Sequence, residues 1–357
     1  MKEKLNFIPN DLVSLKDYER YAKKMMDKNS LAYVCSGAED EITYKRNEEA
    51  FKNIFLETAT LEDLKSANTK IELFGQTYQT PIFVAPVAYQ KLVDENGEIS
   101  TVLGANAMNI PMCVSSFSST TMEDISFYAN RPLWFQLYIQ PDMNTNLRLI
   151  EKAENLGYKA LVITIDAPIS GIRNTEQRAG FNLPDGINAI NIKNPIQSNT
   201  NVENVFDIVP TLPTWKDIEF IKQNTKLPVI LKGITSTSYA KKAIELGIDG
   251  IIVSNHGGRT IDTIPASIEL LPKIAKVVEN KIPILLDGGI RRGSDIIKAI
   301  ALGASAVMIG RPIMYALATA GALGVAHTLK TLKEELEVSM IFTGCKDIEA
   351  IKALNLS

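Results

Sequence analysis

The chain has 357 residues, of which 45% are hydrophobic and 22% are charged, and its formal net charge is -3. This length is enough for one large domain or two ordinary ones with a substantial core. The charge balance shows no basic excess, so we expect no nucleic-acid partner.

Targeting and redox signals are weak. Residues 1–7 lack the apolar core of a signal peptide, and no uninterrupted apolar run approaches the roughly 20 residues of a membrane helix, so we expect a cytoplasmic protein with no membrane partner. The cysteines, Cys35, Cys113 and Cys345, are far apart and lack CxxC spacing. This pattern supports neither a disulfide framework nor a metal site.

The N-terminal residues 1–80 are predicted to form a helical extension to the main fold. An amphipathic helix opens at Leu15, and a second helix ends at Ser36-Gly37-Ala38. Tyr33 precedes that break, where its side chain could reach a neighbouring site.

From residue 81 to about residue 340, short β-branched segments alternate with amphipathic helices. Eight segments have strand character: Pro81–Val87, Met112–Phe117, Trp134–Ile139, Ala160–Ala167, Pro228–Ile234, Gly250–His256, Pro283–Ile290 and Ala306–Pro312. The clearest helices between them are Met143–Leu156, Thr237–Leu246, Ala266–Val278 and Gly293–Leu302. Eight such repeats predict a closed (β/α)8 TIM barrel within a single α/β domain.

One segment interrupts this alternation. Residues 174–214 are rich in Asn, Pro and Asp and have no sustained apolar period. A connection of this length inside a compact domain is usually a lid or a mobile loop. Because it follows the fourth strand, we expect it to lie over the mouth of the barrel.

Polar side chains gather at the predicted C-terminal ends of the strands, where barrel enzymes keep their chemistry. Gln136 and Tyr138 close the third strand, Thr164 and Asp166 the fourth, and Lys232 the fifth. The sixth strand runs into Ser254-Asn255-His256-Gly257-Gly258-Arg259. His256, one of two histidines, is the candidate base, and Arg259 can hold an anionic substrate by its guanidinium fork.

The last two strands end in glycine and arginine. Asp287-Gly288-Gly289-Ile290-Arg291 follows the seventh strand and Gly310-Arg311 the eighth. Such loops let backbone N–H groups approach a phosphate. FMN explains these groups best. Its phosphate would bind to these loops, and Ser115, Gln136 and Thr164 would hydrogen-bond the edge of the ring. Lys232 would stabilise negative charge on the reduced ring.

These motifs resemble the FMN-dependent α-hydroxy-acid oxidizing enzymes, such as glycolate, lactate and mandelate oxidases. The resemblance runs from about Leu15 to the C-terminus and is most specific at residues 254–259, 286–293 and 310–312. It implies His256 as the base paired with Asp166, Tyr138 at the substrate hydroxyl, and Arg173, Arg259 and Tyr33 around the carboxylate. It adds Pro86, Val87, Ala88 and Ser254 to the residues expected to contact FMN.

The resemblance predicts oxidation of an (S)-2-hydroxy acid to the 2-oxo acid, with O2 reduced to H2O2, by a homotetramer or larger homo-oligomer. The main alternatives are a quinone-linked dehydrogenase of the same family and a non-redox FMN-binding isomerase. A monooxygenase that decarboxylates before releasing its product and a non-catalytic barrel that binds a phosphorylated ligand are also left open. Phe117, Tyr89 and Ser170 correspond to positions near the substrate side chain. Because Ser170 is small, we expect a lactate-like or larger substrate. The sequence is compatible with two mechanisms of substrate oxidation: removal of the Cα proton to form a carbanion, or removal of the hydroxyl proton with hydride transfer to the flavin.

Overall fold

The computed structural model describes residues 3–193 and 204–356. The chain begins with three helices, α1 (Leu15–Met25), α2 (Lys28–Cys35) and α3 (Ile42–Glu49). Helix α1 starts with a capping box, in which the Ser14 hydroxyl accepts from the Asp17 backbone N–H and the Asp17 carboxylate accepts from the Ser14 N–H. The predicted start of this helix and the break after α2 are both present.

Two short strands absent from the prediction follow, β1 (Ile71–Leu73) and β2 (Gln76–Tyr78), which pair antiparallel as a hairpin. The tip residue Phe74 packs edge-on against Trp134, and the Tyr78 hydroxyl accepts from the Trp134 indole N–H at 3.1 Å. A Cβ on Gly250 would come within 2.8 Å of the Phe74 ring. Because residues 134 and 250 lie at the start of barrel strands, the hairpin closes the N-terminal end of the barrel.

Eight parallel strands form the closed barrel. They are β3 (Ile82–Val84), β4 (Met112–Ser115), β5 (Leu133–Leu137), β6 (Leu161–Thr164), β7 (Val229–Ile234), β8 (Gly250–Val253), β9 (Ile284–Asp287) and β10 (Ala306–Ile309). Each strand pairs with its neighbour in sequence, and β10 pairs with β3 through Val307 and Ile82. The TIM barrel prediction is confirmed, although most strands are shorter at their C-terminal ends than predicted, because those residues turn into the site loops.

Ten helices accompany the strands in the described residues. They are α4 (Glu98–Ala107), α5 (Met122–Tyr128), α6 (Met143–Asn155), α7 (Asn174–Ala179), α8 (Trp215–Gln223), α9 (Thr237–Glu245), α10 (Ser267–Val278), α11 (Gly293–Ala301), α12 (Arg311–Phe342) and α13 (Ile348–Lys352). Short 3-10 turns occupy Ala50–Asn53, Gln90–Leu92 and Val205–Thr211. The four helices predicted most clearly agree with α6, α9, α10 and α11 to within one residue at either end.

Helix α12 is long and apolar enough to cross a membrane by length and composition alone. However, 78% of its most apolar window is buried, and its backbone kinks at Ala320 and Gly321. The helix packs against α1, α4 and α11. It also carries the second histidine, His327, whose Nδ1 lies 3.0 Å from the Tyr18 hydroxyl of α1.

The segment predicted as a lid, residues 174–214, contains more structure than its composition suggested. It holds α7 and the 3-10 turn Val205–Thr211, while residues 194–203 lie outside the described residues. Helix α7 packs against α2. The beginning of this segment is therefore attached to the N-terminal helices beside the barrel mouth.

Candidate active site

One cavity lies at the C-terminal ends of the barrel strands and encloses about 910 Å³ of empty space, counted out to its open mouth. Most residues predicted to form the site line it: Tyr33, Pro86, Val87, Ala88, Tyr138, Lys232, His256, Arg259, Asp287, Gly288, Gly289, Arg291, Gly310 and Arg311.

The backbone after β8 turns sharply to present His256 to this cavity. His256 has a φ of 56°, and Gly257 and Gly258 follow with φ values of 64° and 73°. A non-glycine residue rarely adopts this left-handed conformation and keeps it only where its surroundings hold it. Here the Ser254 hydroxyl accepts from the His256 backbone N–H at 3.0 Å.

The His256 ring is held on both nitrogens. Its Nδ1 lies 2.9 Å from Asp166 Oδ1, and its Nε2 lies 3.3 Å from the Tyr138 hydroxyl. Burial favours a higher pKa for Asp166, but the His256 charge and hydrogen bond, together with Lys232, outweigh it and hold the pKa below its usual value. An ionised carboxylate only accepts, so Nδ1 carries a hydrogen, and in the neutral form of the ring the lone pair is on Nε2.

Tyr138 completes this arrangement as a hydrogen-bond donor. Burial, and next the negative charge of Asp166, raise the pKa of Tyr138 well above its usual value. The phenol therefore stays neutral, and its hydroxyl donates to the free nitrogen of His256 or to a substrate oxygen near it. The geometry is that of a base oriented from behind by a carboxylate.

The two arginines predicted to bind a carboxylate meet at a residue that the sequence did not single out, Glu176 of α7. Glu176 Oε1 lies 3.2 Å from Arg173 Nη1 and 3.1 Å from Arg259 Nη2. The Ser36 hydroxyl donates to the same oxygen at 2.7 Å. Arg259 Nη1 also donates to the Tyr33 and Ser36 carbonyls, which fixes its guanidinium beside the cavity.

Lys232 is part of a buried charged cluster at the wall of the cavity. Its Nζ lies 2.9 Å from Asp287 Oδ2 and 3.0 Å from the Ser254 hydroxyl. Burial lowers the pKa of Lys232, but Asp287 and Asp166 outweigh this effect and raise it above the usual value. Lys232 is therefore a permanent positive charge at the cavity wall.

The glycine loops after β9 and β10 fit an anionic cofactor group. Gly288 and Gly289 have φ values of 94° and 86°, which other residues rarely adopt. Arg291 Nη2 pairs with Glu48 at 2.7 Å, but its Nε is buried without a hydrogen-bond partner in the described part of the chain. Arg291 lines the glycine-rich cavity, and a phosphate bound there would satisfy such a donor.

Arg311 is less available than its motif suggested. Its Nη2 donates to the Ser36 carbonyl at 2.9 Å and its Nε to the Val34 carbonyl at 3.3 Å. The guanidinium lies over the Tyr44 ring at 4.4 Å from the ring centre. Arg311 therefore ties the end of α2 to the cavity and also contributes positive charge to it.

The predicted flavin-edge residues form a hydrogen-bonded chain but are not among the residues that line the cavity. The Ser115 hydroxyl donates to Gln136 Oε1, and Gln136 Nε2 donates to the Thr164 hydroxyl, both at 3.0 Å. All three are buried. Asp166, Arg173 and Ser254 are likewise not among the lining residues: Asp166 contacts His256, Ser254 contacts Lys232, and Arg173 pairs with Glu176.

Aromatic rings form a continuous wall at the mouth. Consecutive pairs of rings along this wall have centroids 4.9 to 6.1 Å apart. The rings, in spatial order, belong to Phe181, Tyr33, Tyr89, Phe117 and Tyr138. Phe181 was not predicted, because its contact depends on the packing of the segment after β6 against α2.

Known proteins are similar to this chain over nearly its whole length. Residues 22–357 match the model of the FMN-dependent dehydrogenase family. The chain is 41% identical to a 2-hydroxyacid oxidase of Dictyostelium discoideum over 96% of this chain and 89% of that protein. It is 39% identical to an L-lactate oxidase of a Nostoc species over 95% and 96% of the two chains. A mandelate oxidase solved with (S)-2-phenylpropionate superposes with a TM-score of 0.90, at 37% identity over 97% and 98%.

Proposed function

The chain belongs to the FMN-dependent dehydrogenase family, and on that premise we propose that it oxidises an (S)-2-hydroxy acid to the 2-oxo acid with O2 as electron acceptor. The observation that carries the proposal is the oriented base. His256 has Nδ1 on Asp166 and Nε2 directed at Tyr138, beside the guanidinium of Arg259.

Each residue of the site has a separate role in the proposed oxidation. Arg259 and Arg173 hold the substrate carboxylate, and Tyr138 donates to the substrate hydroxyl oxygen. His256 Nε2 takes a proton from the substrate, and Asp166 stabilises the imidazolium that results. When bound, FMN supplies the two-electron acceptor, which O2 regenerates with formation of H2O2. Lys232 and the loops with Gly288, Gly289 and Gly310 would hold it.

Anaerobic mixing tests this function directly. The purified protein should be yellow and should bleach when (S)-lactate or a larger (S)-2-hydroxy acid is added under nitrogen. Admission of air should restore the colour and produce one equivalent of H2O2. A protein that bleaches but recovers colour only with an added quinone would be a dehydrogenase, and a protein that never bleaches would not oxidise hydroxy acids.

Substrate size follows from the aromatic wall and from Ser170, which is small. We propose a lactate-like or larger side chain, packed against Tyr89 and Phe117. A comparison of kcat/KM for glycolate, lactate, 2-hydroxyisocaproate and mandelate tests this proposal. A clear preference for glycolate would contradict it.

We also propose that the protein is a homotetramer or larger homo-oligomer in the cytoplasm. Exposed apolar side chains on the outer helices, such as Phe127, Ile341 and Phe342, offer surfaces for symmetric contacts. Light scattering should give about four times the chain mass of 39.3 kDa. A monomer at micromolar concentration would rule out this assembly.

A further inference from the structure

Glu176 introduces a negative charge where the site must attract an anion. Its carboxylate is nearly buried, with 12% of the side chain exposed, and Arg173 and Arg259 are similarly enclosed at 18% and 16%. One carboxylate oxygen contacts both guanidiniums and the Ser36 hydroxyl. The acid is therefore held in place by three elements: α7, the end of α2 and the loop after β8.

The charges in this cluster add to a single positive charge. Arg173 and Arg259 contribute two positive charges, Glu176 contributes one negative charge, and the remaining contacts of Arg259 are neutral carbonyl and hydroxyl oxygens. Of the neighbouring charges, Lys232 contacts Asp287, His256 contacts Asp166, and Arg311 stands in the loop predicted to hold the cofactor phosphate. One substrate carboxylate therefore neutralises the cluster.

We propose that Glu176 is a specificity-determining residue that restricts the site to singly charged 2-hydroxy acids. The inference rests on the proposed function. With Glu176 ionised, the first substrate carboxylate uses the available positive charge, and a second carboxylate on the substrate side chain enters a site with no charge left to meet it. Salt screens exposed charges over about 10 Å at 0.1 M and screens partly buried charges less, so direct contact with Glu176 is unnecessary.

A matched pair of substrates tests this role. (S)-2-Hydroxybutyrate and (S)-malate are similar in size but carry one and two negative charges. For Glu176→Gln, which keeps the shape and removes the charge, the kcat/KM ratio of malate to 2-hydroxybutyrate should rise on the order of tenfold. Asp185→Asn removes a charge from an exposed position of the same segment and should leave the ratio unchanged.

Binding gives a second measurement that does not depend on turnover. Butyrate and succinate are unreactive analogues of the two substrates, and their dissociation constants can be read from the absorbance change of the bound flavin. Wild-type protein should bind butyrate at least about tenfold more tightly than succinate, and Glu176→Gln should narrow this gap. Glu176→Asp, which keeps the charge on a shorter side chain, should preserve it.

The outcomes separate the two proposals. If (S)-2-hydroxybutyrate does not bleach the wild-type protein, the proposed function fails. Suppose instead that (S)-2-hydroxybutyrate bleaches the wild-type protein normally. If Glu176→Gln then lowers kcat/KM for both substrates by the same factor, or changes neither, the ratio stays the same and the charge role of Glu176 is wrong. If the wild-type protein binds butyrate and succinate with equal affinity, the proposed role of Glu176 is also wrong, and this result requires no measurement on a variant.

Discussion

At the scale of single residues, the site depends on a histidine in an unfavourable backbone conformation. His256 is left-handed, and the Ser254 hydroxyl and the Asp166 carboxylate hold its backbone and its ring. Ser254 also contacts Lys232, so the base and the lysine at the cofactor wall share one support. The position of the base is thus set by contacts with β6 and β7 as well as by its own strand.

The first prediction concerns this base. His256→Ala should slow flavin reduction by about 10² to 10⁴ even at saturating substrate, because nothing else near the substrate accepts the proton. FMN should stay bound, because the glycine loops and Lys232 are unchanged. Stopped-flow recording of flavin bleaching under nitrogen measures the rate, and the flavin spectrum is the control. Near-normal reduction would remove His256 from the mechanism.

Arg259→Lys should behave differently. A lysine cannot donate at once to the Tyr33 and Ser36 carbonyls, to Glu176 and to a substrate carboxylate, as the planar guanidinium can. Substrate binding should weaken, and reduction should partly recover as the substrate concentration is raised. Stopped-flow recording at increasing substrate concentrations measures the rate of flavin reduction. A reduction rate that stays low at every substrate concentration would contradict a role of Arg259 in binding.

The sequence predicted His256 and Arg259 because rare residue types stand next to a strand end. It could not predict Glu176, although the residue lies only three positions after Arg173. The role of Glu176 depends on Ser36 and Arg259, which are 140 and 83 residues away and which only the closed fold brings to the same oxygen. Residue type and spacing do not indicate a contact between residues so far apart in the sequence.

At the scale of elements, a buried carboxylate connects the two loops that carry the aromatic wall. Glu98, at the start of α4, accepts from the backbone N–H groups of Gln90 and Ser119 at 3.2 and 2.9 Å. The Thr120 hydroxyl donates to its other oxygen at 2.8 Å. Gln90 follows Tyr89, and Ser119 lies two residues after Phe117, so Glu98 sets the spacing of two rings at the mouth.

Glu98→Gln should therefore affect both stability and substrate use. The amide presents one donor group to neighbours that are themselves donors, which should lower the free energy of unfolding by about 2 kcal/mol. KM should rise more than kcat falls, because the base is untouched. Chemical denaturation and steady-state kinetics measure the two effects. The exposed neighbour Glu95→Gln is the control, and equal behaviour of the two variants would show that Glu98 has no such role.

Elements with clear periodicity were predicted well, whereas short ones were missed. The hairpin β1–β2 has three residues in each strand, too few to show an alternation. Its turn, Phe74-Gly75, lacks the Asn-Gly or Asp-Gly pair that marks most tight hairpins. Its stability comes from Trp134 and Tyr78 under the barrel, a long-range contact that local sequence does not encode.

At the scale of the whole molecule, the barrel encloses charged groups that its own residues satisfy only in part. Asp287 Oδ1 and Arg291 Nε are buried without hydrogen-bond partners in the described residues. Such groups cost folding free energy until a ligand meets them. Arg291 lies beside the glycine loops, where the cofactor phosphate is expected. Because the phosphate would satisfy Arg291 Nε, cofactor binding should increase the free energy of unfolding.

The last prediction follows from that coupling. Removal of FMN should lower the melting temperature, and FMN at 100 times its dissociation constant should restore about 2.7 kcal/mol, because it binds the folded state only. Riboflavin, which has the same ring system but no phosphate, should protect far less, since it leaves Arg291 Nε unsatisfied. Thermal unfolding of the stripped protein with each ligand measures the difference. Equal protection at equal concentration would mean that the ring alone provides the binding energy, and that the glycine loops after β9 and β10 do not hold a phosphate.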